Sequence, residues 1–144
     1  MTPDVIRITL LGQPRGKQAL ASSSADGHKY LPGRTRDEMA ALRYAAGQVM
    51  GDSPPLAGPL DLDIIIRLPI PRSWPKKRQE AARSGALRPT GKPDWDNYGK
   101  LLDAITLVVW VDDAQVVDGR VRKVYSDKPG MFITVRPAAE GIFG

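Results

Sequence analysis

Apolar side chains occupy every second position from Leu60 to Leu68, and this alternation constrains the fold more than any other feature of the sequence. Successive side chains of a β-strand point to opposite faces of a sheet, so a period of two predicts a strand with one buried face. Shorter segments with the same alternation lie at residues 6–10 and 131–136, and both are predicted strands. The chain is therefore expected to build a β-sheet.

Segments with helical periodicity separate these predicted strands. From about Arg36 to Met50 apolar residues recur at three- and four-residue steps, and Thr35 is the predicted N-cap of this helix. A short helix is predicted from about Pro75 to Arg83, and another begins at Asp94.

Two further short strands are predicted at residues 115–117 and 121–125, with a turn between them at Asp118-Gly119. Together the elements predict an α+β fold with a mixed β-sheet of about four or five strands and helices packed mainly on one face.

Length and composition indicate one domain over residues 1–144, with a frayed tail at 137–144. The absence of cysteine excludes disulfides and cysteine–zinc sites and fits a reducing compartment. No apolar run approaches the length of a membrane span, and Met1 leads into a strand without a signal pattern. We therefore expect a cytoplasmic protein with no membrane partner.

Basic residues give the chain a net charge of +5, which favours a polyanionic partner, and they are concentrated in two segments. The first loop, residues 13–34, lacks apolar periodicity, and a purely solvated loop is an equal alternative to DNA contact. The basic arm, residues 70–92, contains one acid, Glu80. The arm is predicted to contact DNA, and a mobile surface excursion is the alternative. The candidate DNA-binding residues are Arg15, Lys17, Arg72, Lys76, Lys77, Arg78 and Lys92.

Acidic residues are concentrated immediately after the basic arm. Asp94 is the predicted N-cap of a helix, and Asp96 lies in its first turn, where the helix dipole favours negative charge. Asp96 and Lys100 form a predicted i,i+4 ion pair. The buried stripe of this helix is predicted to consist of Tyr98, Leu101, Leu102 and Ile105. Capping and a solvated, salt-bridged helix face are one interpretation of these acids.

A metal site is the other interpretation. Asp94 and Asp96 place two carboxylates in one turn where a cap needs one, and Asp112 and Asp113 form a second acidic pair after the apolar run 107–110. Like charges held close together cost free energy unless a cation neutralises them, and Asp oxygens are natural ligands of Mg²⁺ or Mn²⁺. This pattern predicts a site between a helix start and the end of a neighbouring strand.

These segments together resemble the RusA family of Holliday junction resolvases. The family's Asp-x-Asp-Asn-x-x-Lys segment is present as Asp94-Trp-Asp-Asn-Tyr-Gly-Lys100. Its aromatic-x-Asp-Asp-x-Gln-Val segment is present as Trp110-Val-Asp-Asp-Ala-Gln-Val116, followed by a similar strand at Val121-Arg-Lys-Val-Tyr125. The resemblance is close in the second half of the chain and loose in the first. It departs at Asp103, which follows the lysine by three residues where the family pattern has a full turn.

The resemblance implies a metal-dependent endodeoxyribonuclease, a homodimer that resolves four-way DNA junctions by paired phosphodiester hydrolysis in recombination and repair, in a bacterial or phage-infected host cell. Asp94, Asp96 and Asp113 would be the essential carboxylates and the Mg²⁺ ligands, with Mn²⁺ as an alternative ion. Lys100 would assist catalysis, and Asp112 is a weaker ligand candidate. A non-catalytic DNA-binding module and a nuclease for other branched DNA, such as flaps, are the alternatives.

Overall fold

The computed structural model of the chain describes residues 4–139. Its elements in chain order are β1 (Ile6–Leu11), β2 (Ala21–Ser22), β3 (Lys29–Tyr30), α1 (Gly33–Met50), β4 (Leu60–Pro69), α2 (Lys76–Ser84), α3 (Trp95–Gly99), a 3₁₀ helix (Lys100–Ile105), a 3₁₀ turn (Asp113–Gln115), β5 (Val116–Ser126) and β6 (Gly130–Pro137).

The main sheet has the strand order β1-β6-β4-β5. Strand β6 is antiparallel to both β1 and β4, whereas β4 and β5 run parallel. In this register Ile64 lies between Ile133 of β6 and Val121 of β5, so the alternating apolar side chains of neighbouring strands meet on one face. The predicted α+β fold with a mixed sheet is confirmed. The first loop also contains a small hairpin, because β2 pairs with β3.

The predicted turn at Asp118-Gly119 is wrong, because β5 runs unbroken from Val116 to Ser126. Asp118 and Gly119 pair in parallel with Asp61 and Leu62 of β4, immediately after a register shift beside Leu60. An Asp-Gly pair favours a hairpin when the flanking strands pair with each other. Here both flanks pair with β4 instead, and that long-range ladder overrides the local turn preference.

Helix α1 packs against β1 and the 3₁₀ helix through Leu42, Ala46 and Met50, which are all buried. Its predicted cap is wrong, because the helix begins at Gly33 and Thr35 lies inside it. The buried Thr35 hydroxyl accepts from the Gln18 backbone nitrogen at 3.0 Å and donates to the Gln18 side chain at 3.2 Å. This residue therefore fixes the first loop to α1 and does not cap the helix.

The predicted helix after Asp94 is present, but it is α-helical only through Gly99 and continues as the 3₁₀ helix. Its predicted apolar stripe is confirmed, since Tyr98, Leu101, Leu102 and Ile105 are all buried.

The apolar run 107–110 is not a strand, so the second acidic pair does not follow the end of a strand as the metal-site interpretation required. Leu107 has a φ of 71° and begins a turn, and Trp110 makes only isolated bridges to Leu56 and Thr106. The chain reverses directly after the 3₁₀ helix, so this apolar run buries Val109 and Trp110 without forming a strand.

At the end of the chain, Pro137 belongs to β6, and residues 140–144 of the predicted tail lie outside the described residues.

The short helix predicted in the basic arm is confirmed by α2. None of the helices within residues 4–139 combines the length and the apolar character needed to cross a bilayer.

Candidate active site

The carboxylate turn, residues 94–100, consists of α3 with one residue on either side and carries two exposed carboxylates, Asp94 and Asp96, and the exposed Lys100. Asp94 occupies the predicted N-cap position, but its side chain makes no capping hydrogen bond to the described residues. The predicted Asp96–Lys100 pair is confirmed, with the Lys100 Nζ atom 3.4 Å from Asp96 Oδ2. Lys100 also donates to the Asn97 side chain at 3.5 Å. Since Asp94 does not cap the helix, capping does not explain why an acid stands there.

Two alternate residues of β5 support this turn from one face of the strand. An added Cβ at Gly99 would lie 3.9 Å from Val121 Cγ2, so α3 passes directly over Val121. Two positions further on, Lys123 Nζ donates to the backbone oxygens of Gly91 and Pro93 at 2.7 and 3.0 Å. Alternation in the motif strand indicates only that Lys123 shares a face with Val121, and it does not indicate which groups Lys123 contacts.

The first loop approaches the carboxylate turn from the other side. Gly16 is buried with a φ of +77°, and a Cβ there would lie 3.1 Å from Pro93 Cβ. Lys17 donates its backbone N–H to the backbone oxygen of Asn97 at 2.8 Å, while its ammonium lies 3.4 Å from Asp103 Oδ2. Asp103 therefore binds the first loop.

Asp112 has a structural role in a different part of the molecule. It is the N-cap of the 3₁₀ turn, where its carboxylate accepts from the Ala114 N–H at 2.9 Å. In return, the Gln115 side-chain oxygen accepts from the backbone N–H of Asp112 at 3.0 Å. Gln115 also donates to the backbone oxygens of Leu56 and Gly58. This capping box accounts for Asp112 without a metal.

Asp113 is exposed on the same 3₁₀ turn, just before β5 begins at Val116. The carboxylate turn lies over Val121 and Lys123, and at about 3.3 Å per residue Val121 is roughly 16 Å further along the strand than Val116. No group of three or more His, Cys, Asp or Glu side chains in the described part of the chain could hold a metal ion. Within one chain, Asp94 and Asp96 therefore share one turn, and Asp113 does not join them in a three-carboxylate group.

The two basic segments meet beside the carboxylate turn. A cleft of about 390 Å³ is lined by Arg15 and Arg34 of the first loop and helix α1, by Lys92 of the basic arm, and by Pro93 and Tyr98. Of the predicted DNA-binding residues, Arg15 and Lys92 are thus brought together, and both are exposed. Positive side chains on both sides of this cleft, which borders the carboxylate turn at Pro93 and Tyr98, can hold a DNA backbone beside the turn.

The basic arm is packed on β5. Trp74 contacts Tyr125 edge to face at 5.3 Å, and the Arg78 guanidinium lies 4.2 Å above the Trp74 ring. At the far end of α2, Arg83 Nε lies 2.8 Å from Asp127 Oδ2. These contacts argue against a mobile excursion. The remaining candidate DNA-binding residues of the arm, all exposed, are Arg72, Lys76 and Lys77.

Tyr98 closes the inner wall of the cleft. Its hydroxyl is buried and has no hydrogen-bond partner within residues 4–139. Burial, and then the negative charge of Glu38, raise the pKa of Tyr98 to about 12. Glu38 itself accepts the Arg15 backbone N–H at 2.8 Å, so the first loop, α1 and α3 meet at this point.

The sequence profile of the family described as Endodeoxyribonuclease RusA matches residues 12–136. The match spans both basic segments and the carboxylate turn, so the chain belongs to the RusA endodeoxyribonuclease family. A relative in Bacillus subtilis (strain 168), described as Uncharacterized protein YqaN, is 33% identical over 138 residues. That alignment covers 92% of this chain and 96% of the relative.

Proposed function

We propose that this protein is a Mg²⁺-dependent endonuclease that resolves four-way DNA junctions in recombination and repair. The main supporting observation is the exposed carboxylate turn, with Asp94, Asp96 and Lys100, next to a cleft where two basic segments meet. A polyanion held in that cleft would lie next to the turn that carries the carboxylates. Membership of the RusA family supports nuclease chemistry at this place.

The residues of the turn fit a magnesium ion by their chemistry. Mg²⁺ is commonly held by one or two carboxylates together with waters and substrate phosphate oxygens. Asp94 and Asp96 supply two exposed carboxylates from one turn, and neither is needed as a helix cap. When bound, the ion would activate a water, polarise the phosphoryl group and stabilise the leaving oxygen; Mn²⁺ would serve similarly.

The other residues of the site bind and orient the DNA. Arg15 and Lys92 hold phosphates on the two sides of the cleft, which is a contact to the backbone that does not depend on sequence. Lys100 keeps its ammonium 3.4 Å from Asp96 and can therefore place positive charge where negative charge develops in the transition state.

Symmetric cutting of a junction needs two such sites, which a C2 homodimer provides. Val111 and Val117 flank the turn that carries Asp113 and are 59% and 64% exposed, which favours a contact surface there. Because one chain does not gather Asp113 with Asp94 and Asp96, we assign to each site the Asp113 of the second copy.

The test is cleavage of a synthetic four-way junction with and without Mg²⁺. The wild-type protein is expected to cut only with the metal, and Asp94→Asn is expected to bind the junction without cutting it. Asp103→Asn is the matched control, because Asp103 is an exposed acid on the adjoining 3₁₀ helix and pairs with Lys17. The Asp103→Asn variant should cut normally.

Three other outcomes would contradict parts of the proposal. Normal cutting by Asp94→Asn would refute the carboxylate assignment. Binding without cutting in any divalent metal would support the non-catalytic DNA-binding module. Preferential cutting of a flap offered in competition would make the protein a nuclease for other branched DNA.

A further inference from the structure

The side chain of Lys123 crosses from β5 to the segment that leads into the carboxylate turn. Its ammonium donates to the backbone oxygen of Gly91 at 2.7 Å and to that of Pro93 at 3.0 Å. Both acceptors are carbonyls of the main chain, so these bonds fix backbone and do not neutralise a charge. Hydrogen bonds from a charged donor are stronger than those between neutral groups.

The same segment is tied to β5 a second time. Arg88 Nε donates to the backbone oxygen of Lys123 at 2.9 Å. Strand β5 is an edge strand, with β4 on its other side, so its outward carbonyls need partners from outside the sheet. Residues 88–93 are therefore held to β5 at both ends by groups of Lys123.

The bond to Pro93 acts directly on Asp94. The Pro93 oxygen lies in the same rigid peptide plane as the nitrogen and Cα of Asp94. Fixing that oxygen fixes the orientation of the plane from which the Asp94 side chain projects. Since the Asp94 carboxylate makes no capping bond of its own, the orientation of its backbone decides where the carboxylate points.

We propose that Lys123 is a positioning residue that orients Asp94 for metal binding. The inference rests on the proposed function, because it takes Asp94 as a metal ligand. Groups that orient a metal ligand without touching the metal typically contribute 10–100-fold to metal affinity or activity. Lys123 would act in this way through the backbone, from a strand distant in sequence.

The test compares Lys123→Met, which keeps the length of the side chain and removes its donors, with Arg120→Met. Arg120 is an exposed basic residue of the same strand and serves as the matched control. Thermal denaturation confirms that both variants are folded. The first measurement is amide hydrogen exchange without metal or DNA. Exchange of the hydrogen-bonded amides of Asn97 and Lys100 is expected to rise about tenfold in Lys123→Met only, while the amides of β1 and β6 are unchanged.

The second measurement is Mn²⁺ binding, followed by electron paramagnetic resonance of the free ion. Lys123→Met is expected to bind Mn²⁺ about 10–100-fold more weakly, with junction binding in the absence of metal unchanged. Wild-type exchange at Asn97 and Lys100 would overturn the inference, and so would faster exchange with wild-type Mn²⁺ affinity, since Lys123 would then be merely structural. If the wild-type protein itself binds no Mn²⁺, the proposed function fails separately.

Discussion

The ammonium nitrogen of Lys100 lies 3.4 Å from Oδ2 of Asp96, one helical turn earlier, and both side chains are about half exposed. An ion pair this exposed contributes roughly 0–1 kcal/mol to stability. Its position beside the carboxylates is therefore more informative about catalysis than about folding.

Lys100→Met is expected to lower the rate of junction cleavage about 100- to 1,000-fold, because it removes a positive group placed beside the developing charge. The melting temperature should hardly change, because the exposed ion pair contributes little to stability. Single-turnover cleavage with bound junction measures the first effect, and thermal denaturation the second. Lys128→Met, at an exposed lysine of the turn between β5 and β6, should cleave at the wild-type rate. A Lys100→Met variant as fast as wild type would exclude a catalytic role.

Lys76 and Lys77 are exposed at the start of α2, so their contribution to DNA binding should be electrostatic. Binding weakens as salt rises, so the slope of log K against log salt is negative. Changing both to Ala is expected to make this slope shallower by about 0.9 for each phosphate that is no longer neutralised. Fluorescence anisotropy at several salt concentrations measures the slope. Arg78→Ala is made separately, because it also removes the stacking on Trp74. An unchanged slope in the double variant would remove this part of the arm from the interface.

Gly16 and Gly12 both have positive φ, but only Gly16 is confined, with Pro93 Cβ 3.1 Å from an added Cβ. Gly12→Ala is expected to cost roughly 1–2 kcal/mol of unfolding free energy, from backbone strain alone. Gly16→Ala should cost about 1 kcal/mol more, because the new methyl group also displaces the segment before Asp94. Urea denaturation measures both. Equal losses in the two variants would show that the loop yields at Gly16 without disturbing Pro93.

The pKa of Tyr98, raised by burial to about 12 from its ordinary value of 10.0, makes stability depend on pH at the alkaline end. The folded protein keeps a proton that the unfolded chain releases, so the free energy of unfolding falls as the pH rises from about 10 to about 12. Below about pH 10, Tyr98 is protonated in both the folded and the unfolded chain, and its contribution to the free energy of unfolding is fully present. Tyr98→Phe should remove this part of the decline and leave stability at pH 7 nearly unchanged, since the hydroxyl has no partner among the described residues. Denaturation curves of the wild-type protein and of Tyr98→Phe, recorded at neutral and at alkaline pH, measure this difference. An identical alkaline decline in the two proteins would contradict the prediction.

Mixing Asp94→Asn with Asp113→Asn chains tests whether a site takes its carboxylates from two copies. Each variant alone is expected to be inactive. After co-refolding, a mixed dimer would pair the intact Asp94 of one chain with the intact Asp113 of the other, so nicking should return at roughly a quarter of the sites under random exchange. Persistent inactivity of the mixture, with mixed dimers shown by mass spectrometry, would mean that both carboxylates act within one chain or in separate sites.

Local patterns in the sequence were sufficient for the parts of this protein whose causes are local. The alternation from Leu60 to Leu68 predicted a strand, and the steps from Tyr98 to Ile105 predicted the buried stripe, because each pattern reports the periodicity of a single element. The Asp96–Lys100 pair was predictable for the same reason. The motif segments likewise indicated the carboxylate turn before any fold was known.

Tertiary structure decided what depends on partners distant along the chain. The parallel ladder of β4 with β5 overrode the turn preference of Asp118-Gly119, and the chain reverses at Leu107, where the metal-site interpretation required the end of a strand. The role of Lys123 was likewise not readable from the sequence, because its acceptors are carbonyls about thirty residues earlier that only the edge of β5 brings within reach. Every residue carries the same backbone carbonyl, so the local sequence gives no sign of which carbonyls a distant side chain will reach; the packing against the sheet decides this.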